Sequence, residues 1–139
     1  MTGRKGSNAR RWFSGYVPVV EPRIVHADPM SEFATDERCY ILEWWNDPSD
    51  EDVSIARARV APGVTTALHR VSVNERYLIL EGRGLMRVGE LVPAEVGVGD
   101  VVIIPAGVAQ QISNTGDNDL VFACICTPRF RPECYESLE

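Results

Sequence analysis

From Arg38 onward the chain is cut into short apolar runs by glycine and proline, and this punctuation constrains the fold more than any other feature. Cys39 to Trp45, Val53 to Val60, Arg76 to Leu80, Gly84 to Val88, Val92 to Val96, Val101 to Ile104, Gln110 to Asn114 and Leu120 to Cys126 read as strands. Asn46-Asp47-Pro48-Ser49-Asp50, Pro62-Gly63 and Glu81-Gly82-Arg83 read as turns, because Gly, Pro, Asn and Asp supply the dihedrals that reversals need. No apolar spacing supports a helix of ten or more residues. Short strands at regular spacing predict an all-β sandwich or barrel. One helical turn is expected near Ser31-Glu32-Phe33-Ala34.

Length and charge narrow the classes. The 139 residues suffice for one domain with a buried core. A net charge of −6 argues against a nucleic-acid partner for the body of the chain. No run is long enough to span a membrane, and no apolar stretch follows the basic Arg4-Lys5 start, so the expectation is a cytoplasmic protein without a membrane partner. Arg4, Lys5, Arg10 and Arg11 precede Trp12-Phe13 and suggest a solvated or subunit-docking arm. Residues 1–22 are read as that arm and residues 23–139 as a single barrel domain. Cys39, Cys124, Cys126 and Cys134 lack the spacing of a disulfide scaffold and are expected to be free thiols.

Two phrases carry the candidate chemistry. The first is Gly63, five residues, His69-Arg70-Val71, three residues, Glu75, six residues, Gly82. The second is Gly99, five residues, Pro105, one residue, Gly107, two residues, Gln110, three residues, Asn114. Both spacings resemble the paired motifs of the cupin superfamily. So do Glu75-Arg76-Tyr77-Leu78-Ile79-Leu80-Glu81-Gly82 and Thr127-Pro128-Arg129-Phe130, and the resemblance runs from Ala58 to Tyr135. It implies a cupin-type double-stranded β-helix, a jelly-roll barrel whose interior holds a divalent metal. In the family a second histidine stands where Val71 is and a third where Gln110 is. This chain has two histidines in all, His26 and His69, so one subunit cannot supply three imidazoles.

Residues two apart on a strand share a face. His69 and Val71 therefore point one way, inward by the resemblance. Glu75 shares a face with Tyr77 and Ile79, and Gln110 with Ile112 and Asn114. His69, Glu75 and Gln110 form the candidate metal set, one imidazole, one carboxylate and one amide oxygen for a Zn, Fe, Mn or Ni cation. His69, Glu75, Tyr77 and Gln110 form the candidate ligand-binding set. In a catalytic reading Glu75 is the general base and Tyr77 the proton donor. Each has a structural alternative: a hydrogen-bonded histidine for His69, an ion pair with Arg57, Arg59 or Arg87 for Glu75, and a satisfied buried amide for Gln110. His26, in an irregular segment, is read as a surface or packing residue. Arg57 and Arg59 share one face of their strand; facing inward they would favour a carboxylate or phosphate ligand, facing outward they are surface charge.

Two functions follow. One is a barrel that binds a small polar or anionic molecule, with at most a weakly held divalent metal. The other is a metal-dependent isomerase, dioxygenase or decarboxylase acting on a sugar acid or keto acid. A homodimer is expected in either case, from the apolar Tyr16–Val20 stretch and the Trp44-Trp45 pair, whose members should face opposite sides of one strand.

Overall fold

The computed structural model of the protein describes residues 20–139. The expected arm therefore lies almost wholly outside the described residues, apart from Val20, Glu21 and Pro22. Eleven strands follow: β1 (Phe33–Ala34), β2 (Tyr40–Trp45), β3 (Ser54–Val60), β4 (His69–Val71), β5 (Asn74–Glu81), β6 (Arg83–Val88), β7 (Ala94–Gly97), β8 (Val101–Ile104), β9 (Gln110–Asn114), β10 (Leu120–Thr127) and β11 (Tyr135–Ser137). They form a six-stranded sheet in the order β1-β2-β3-β10-β5-β8 and a five-stranded sheet in the order β11-β4-β9-β6-β7. Every pairing is antiparallel. Among the described residues helix is confined to two 3₁₀ turns, Pro29–Ser31 and Pro132–Cys134. Among the described residues no helix is long and apolar enough to cross a membrane.

The strand pattern is legible in burial. On β5, Glu75, Tyr77 and Ile79 are buried while Asn74 and Glu81 are exposed. On β9, Gln110, Ile112 and Asn114 are buried, and on β4 His69 and Val71 flank an exposed Arg70. These inward faces meet in a core of Val60, Ile79, Met86, Ile104, Ile112, Leu120 and Phe122. Burying a side chain of this kind contributes about 1.5–3 kcal/mol relative to exposure, so the alternation itself specifies the register.

Gly82 makes the β5–β6 turn possible. Its φ is +80°, and a Cβ there would stand 2.7 Å from the Asp119 carbonyl oxygen. The turn thus needs both left-handed backbone and the absence of a side chain. Asn114 closes the opposite end of the motif pair. Its amide donates to the carbonyls of Val60 and Asn118, each at 2.8 Å, and its Oδ1 accepts from the Gly116 N–H at 2.9 Å.

Three local expectations shift. The helical turn lies at Pro29–Ser31, because Asp28 caps it and the prolyl residue suits the first position; Phe33 and Ala34 are extended instead. The strand expected at Val92 to Val96 begins at Ala94. Trp44 and Trp45 do not simply point opposite ways. The β2–β3 register slips between Glu43 and Trp45, and both residues border one surface crevice with Val20, Pro22, Arg23 and Val25. A bulge of this kind breaks the two-residue alternation.

Candidate functional site

A cavity of about 420 Å³ opens between the two sheets. β2, β3, β5 and β10 wall it on one side; β4, the segment before β2 and the Phe130–Tyr135 stretch wall the other. His69, Glu75 and Tyr77 line it, as do Val71, Cys39, Cys124 and Cys126. Alternation on β3 puts Ala56 and Ala58 on the cavity, where their small side chains leave room.

Arg57 and Arg59 consequently face the other way. Arg59 Nη2 lies 2.6 Å from Glu32 Oε1, Arg57 Nη2 lies 3.0 Å from Glu32 Oε2, and Arg59 also reaches Asp119 at 3.3 Å. The Arg59 guanidinium sits 4.2 Å from the Tyr40 ring centroid. The paired guanidinium groups hold the Glu32 carboxyl below its ordinary value, with the Arg59 hydrogen bond the largest cause. Neither arginine is available to a ligand in the cavity.

His69 is 4 % exposed. Its Nδ1 lies 2.8 Å from the Ala67 carbonyl, which can only accept, so Nδ1 carries a proton and Nε2 is the variable nitrogen. Nε2 faces Glu37 Oε2 at 3.5 Å. The ring stacks on Tyr135, with centroids 5.0 Å apart and planes at 25°. Burial raises the Glu37 carboxyl, and the nearby imidazole partly offsets this.

Gln110 is fully buried and couples two other candidates. Its Nε2 donates to Glu75 Oε1 at 2.8 Å, and its Oε1 accepts from the Tyr77 hydroxyl. Among the described residues, the one hydrogen-bond partner of Glu75 Oε2 is the Cys126 thiol, at 3.7 Å. Burial is the main cause that raises the Glu75 carboxyl, while the Gln110 bond pulls it down. Burial also pushes the Tyr77 phenol well up, with the adjacent Glu75 charge adding to it. Cys39 is pushed up to about 11, again chiefly by burial, and Cys124 is likewise raised by burial, so these thiols stay protonated at neutral pH.

The expected residues thus converge, but in different roles. His69 and Glu75 face the cavity. Tyr77 presents its ring there while its hydroxyl is committed to Gln110. Gln110 stands behind them and does not line the cavity. His26 is exposed. Glu75 pairs with none of Arg57, Arg59 and Arg87; its partner is an amide. Glu37 and Tyr135 were not anticipated. Nothing in their spacing relates them to His69, since one comes from an irregular segment and the other from a C-terminal strand bonded to β4.

The residues present do not fit the divalent metal that the resemblance implies. Val71 offers no donor, and the one amide oxygen in the set is occupied by Tyr77. Among the described residues no group of three His, Cys, Asp or Glu side chains could hold an ion.

A cupin-domain family model matches residues 56–126. No curated protein matches the chain. Among solved structures, an uncharacterized conserved protein with a double-stranded β-helix domain from Klebsiella pneumoniae is 17% identical, with a TM-score of 0.67 over 86% of this chain and 99% of that one. A cupin 2 conserved barrel domain protein from Salinispora arenicola is 19% identical, with a TM-score of 0.65 over 76% of this chain and 89% of that one. A predicted oxalate decarboxylase from Thermotoga maritima is 21% identical, with a TM-score of 0.68 over 76% of this chain and 99% of that one. At these identities the likeness is one of fold.

Proposed function

This chain belongs to the cupin family, and on that premise we propose that it is a binding barrel for a small molecule with a polar end. The observation that carries the reading is the cavity itself: about 420 Å³, apolar over most of its wall, with His69 Nε2 and Glu75 at one place on it. That size and that pairing of an apolar wall with a few polar groups are typical of ligand pockets. The ligand's polar end meets Glu75 and His69, and Gln110 and Tyr77 act from behind by fixing the Glu75 carboxyl.

The expectation of an anion is narrowed here. Among the described residues no arginine or lysine stands in the wall, so none of them offers a cationic partner there to the oxalate named for the Thermotoga relative. One observation favours a catalytic version of the same reading. His69 Nε2 and the Glu75 carboxyl are two proton carriers on one cavity, the arrangement general acid–base chemistry uses.

The test is a thermal-shift panel of sugars, sugar acids, keto acids, alcohols and amines. A ligand should raise the midpoint by mass action. The reading expects at least one compound class to stabilise the wild type and to lose that effect in His69→Ala. If no class stabilises the wild type, the barrel is not a small-molecule binder.

A further inference from the structure

The charge of the cavity wall names a ligand class, and this step rests on the small-molecule reading above. Asp36, Glu37, Glu43 and Glu75 all line the cavity, and among the described residues no arginine or lysine does. The arginines of β3 are turned outward onto Glu32. The one imidazole in the wall, His69, faces Glu37.

Glu75 is the informative member. It is 8 % exposed, and its Oε1 is satisfied by Gln110. Among the described residues its Oε2 has no N–H or O–H donor, only a weakly donating thiol at 3.7 Å. A buried carboxylate oxygen without a proper donor is costly and calls for an explanation. The same cavity is walled by the rings of Phe33, Tyr77, Phe122, Phe130 and Tyr135. Aromatic faces attract cations, and a carboxylate beside them completes the site such a cation needs.

We propose that the cavity takes an organic ammonium cation with an apolar body, its charged end donating to Glu75 Oε2 and its body lying among the aromatic rings. An ammonium supplies the missing donor and the missing positive charge together. A neutral alcohol supplies the donor alone. A carboxylate supplies neither and meets like charge.

Three probes of one shape separate the cases: phenylbutylamine, phenylbutanol and phenylbutyrate, titrated calorimetrically at neutral pH. The amine should bind about 10-fold or more tighter than the alcohol, and the butyrate most weakly. Glu75→Gln keeps an acceptor for Gln110 and should weaken the amine about 10-fold, and the alcohol by a clearly smaller factor. Glu37→Gln should weaken the amine in the same sense by a smaller factor. If the alcohol or the butyrate binds as tightly as the amine, the cation inference falls and the small-molecule reading stands. If Glu75→Gln weakens amine and alcohol equally, charge is not the determinant and the inference falls as well. If none of the three binds, the inference is wrong, and the broader thermal-shift panel decides the underlying reading separately.

Discussion

The Gln110 amide nitrogen donates to Glu75 Oε1 at 2.8 Å, across the space between the two sheets. Because the same amide accepts from Tyr77, one buried side chain fixes both groups. A residue placed by its spacing as a candidate ligand thus also braces the cavity carboxylate.

Gln110→Leu should therefore act first on stability. It leaves the Tyr77 hydroxyl and Glu75 Oε1 without their partner inside the core, at about 1–3 kcal/mol for each unsatisfied group. Chemical denaturation should show a loss of about 3 kcal/mol, with a midpoint drop of roughly 10 °C on heating. A loss below about 0.5 kcal/mol, the range of an ordinary surface substitution, would contradict the bracing role.

The pH dependence follows from burial. Glu75 and Glu37 have folded-state carboxyls raised above the ordinary 4.5, so the folded state holds protons that the unfolded state has released. Their contribution is fully present below 4.5 and is lost as pH rises through the raised folded values. Glu75→Gln removes its part of this loss. The variant should gain thermal stability relative to wild type as pH rises from 5 toward neutrality, with the gap closing below 4.5. Parallel melting curves across that window would refute the account.

Metal content should be low. With Val71 inert and the Gln110 oxygen engaged, protein purified without chelators is expected to hold well below one equivalent of any divalent metal. Elemental analysis checks this. A full equivalent that survives chelator would overturn this reading and show that His69 and Glu75 hold a metal together with other donors.

Gly82→Ala should destabilise by about 2 kcal/mol or more, because it combines an unfavourable left-handed φ with a contact on the Asp119 backbone. Denaturant midpoints measure the effect, and a neutral result would show that the β5–β6 turn can relax.

The assembly expectation stands as a proposal. Val101 and Ile103 on β8, the edge strand of the larger sheet, are 56% and 62% exposed, as an unpartnered face would be. A second copy of the chain is expected to cover it, and light scattering at micromolar protein should give a dimer mass. A monomer mass would remove the claim.

Most of the barrel was legible because burial on a strand has a period of two, and β5 and β9 write that period plainly. The motif spacing placed His69, Glu75 and Tyr77 on one interior for the same reason. Other features depend on contacts without local signature. Glu37 reaches His69 from an irregular segment. Tyr135 arrives with a three-residue strand that exists only by pairing with β4. The outward facing of Arg57 and Arg59 could not be read from β3 alone, whose alternating face is alanine; Glu32, far upstream, decides it. The paired tryptophans misled because a bulge is invisible in composition.

The central claim is that ligands enter the cavity between the sheets. Ala56 lines that cavity and carries no polar group, so Ala56→Phe fills it while leaving the side chains of His69, Glu75 and Gln110 in place. The direct measurement is calorimetric titration of whichever compound stabilises the wild type, repeated on Ala56→Phe after its fold is checked by circular dichroism. The account predicts that a folded Ala56→Phe loses binding at least about 10-fold, the equivalent of roughly 1.4 kcal/mol. Unchanged affinity in the folded variant would place the ligand elsewhere and contradict the account.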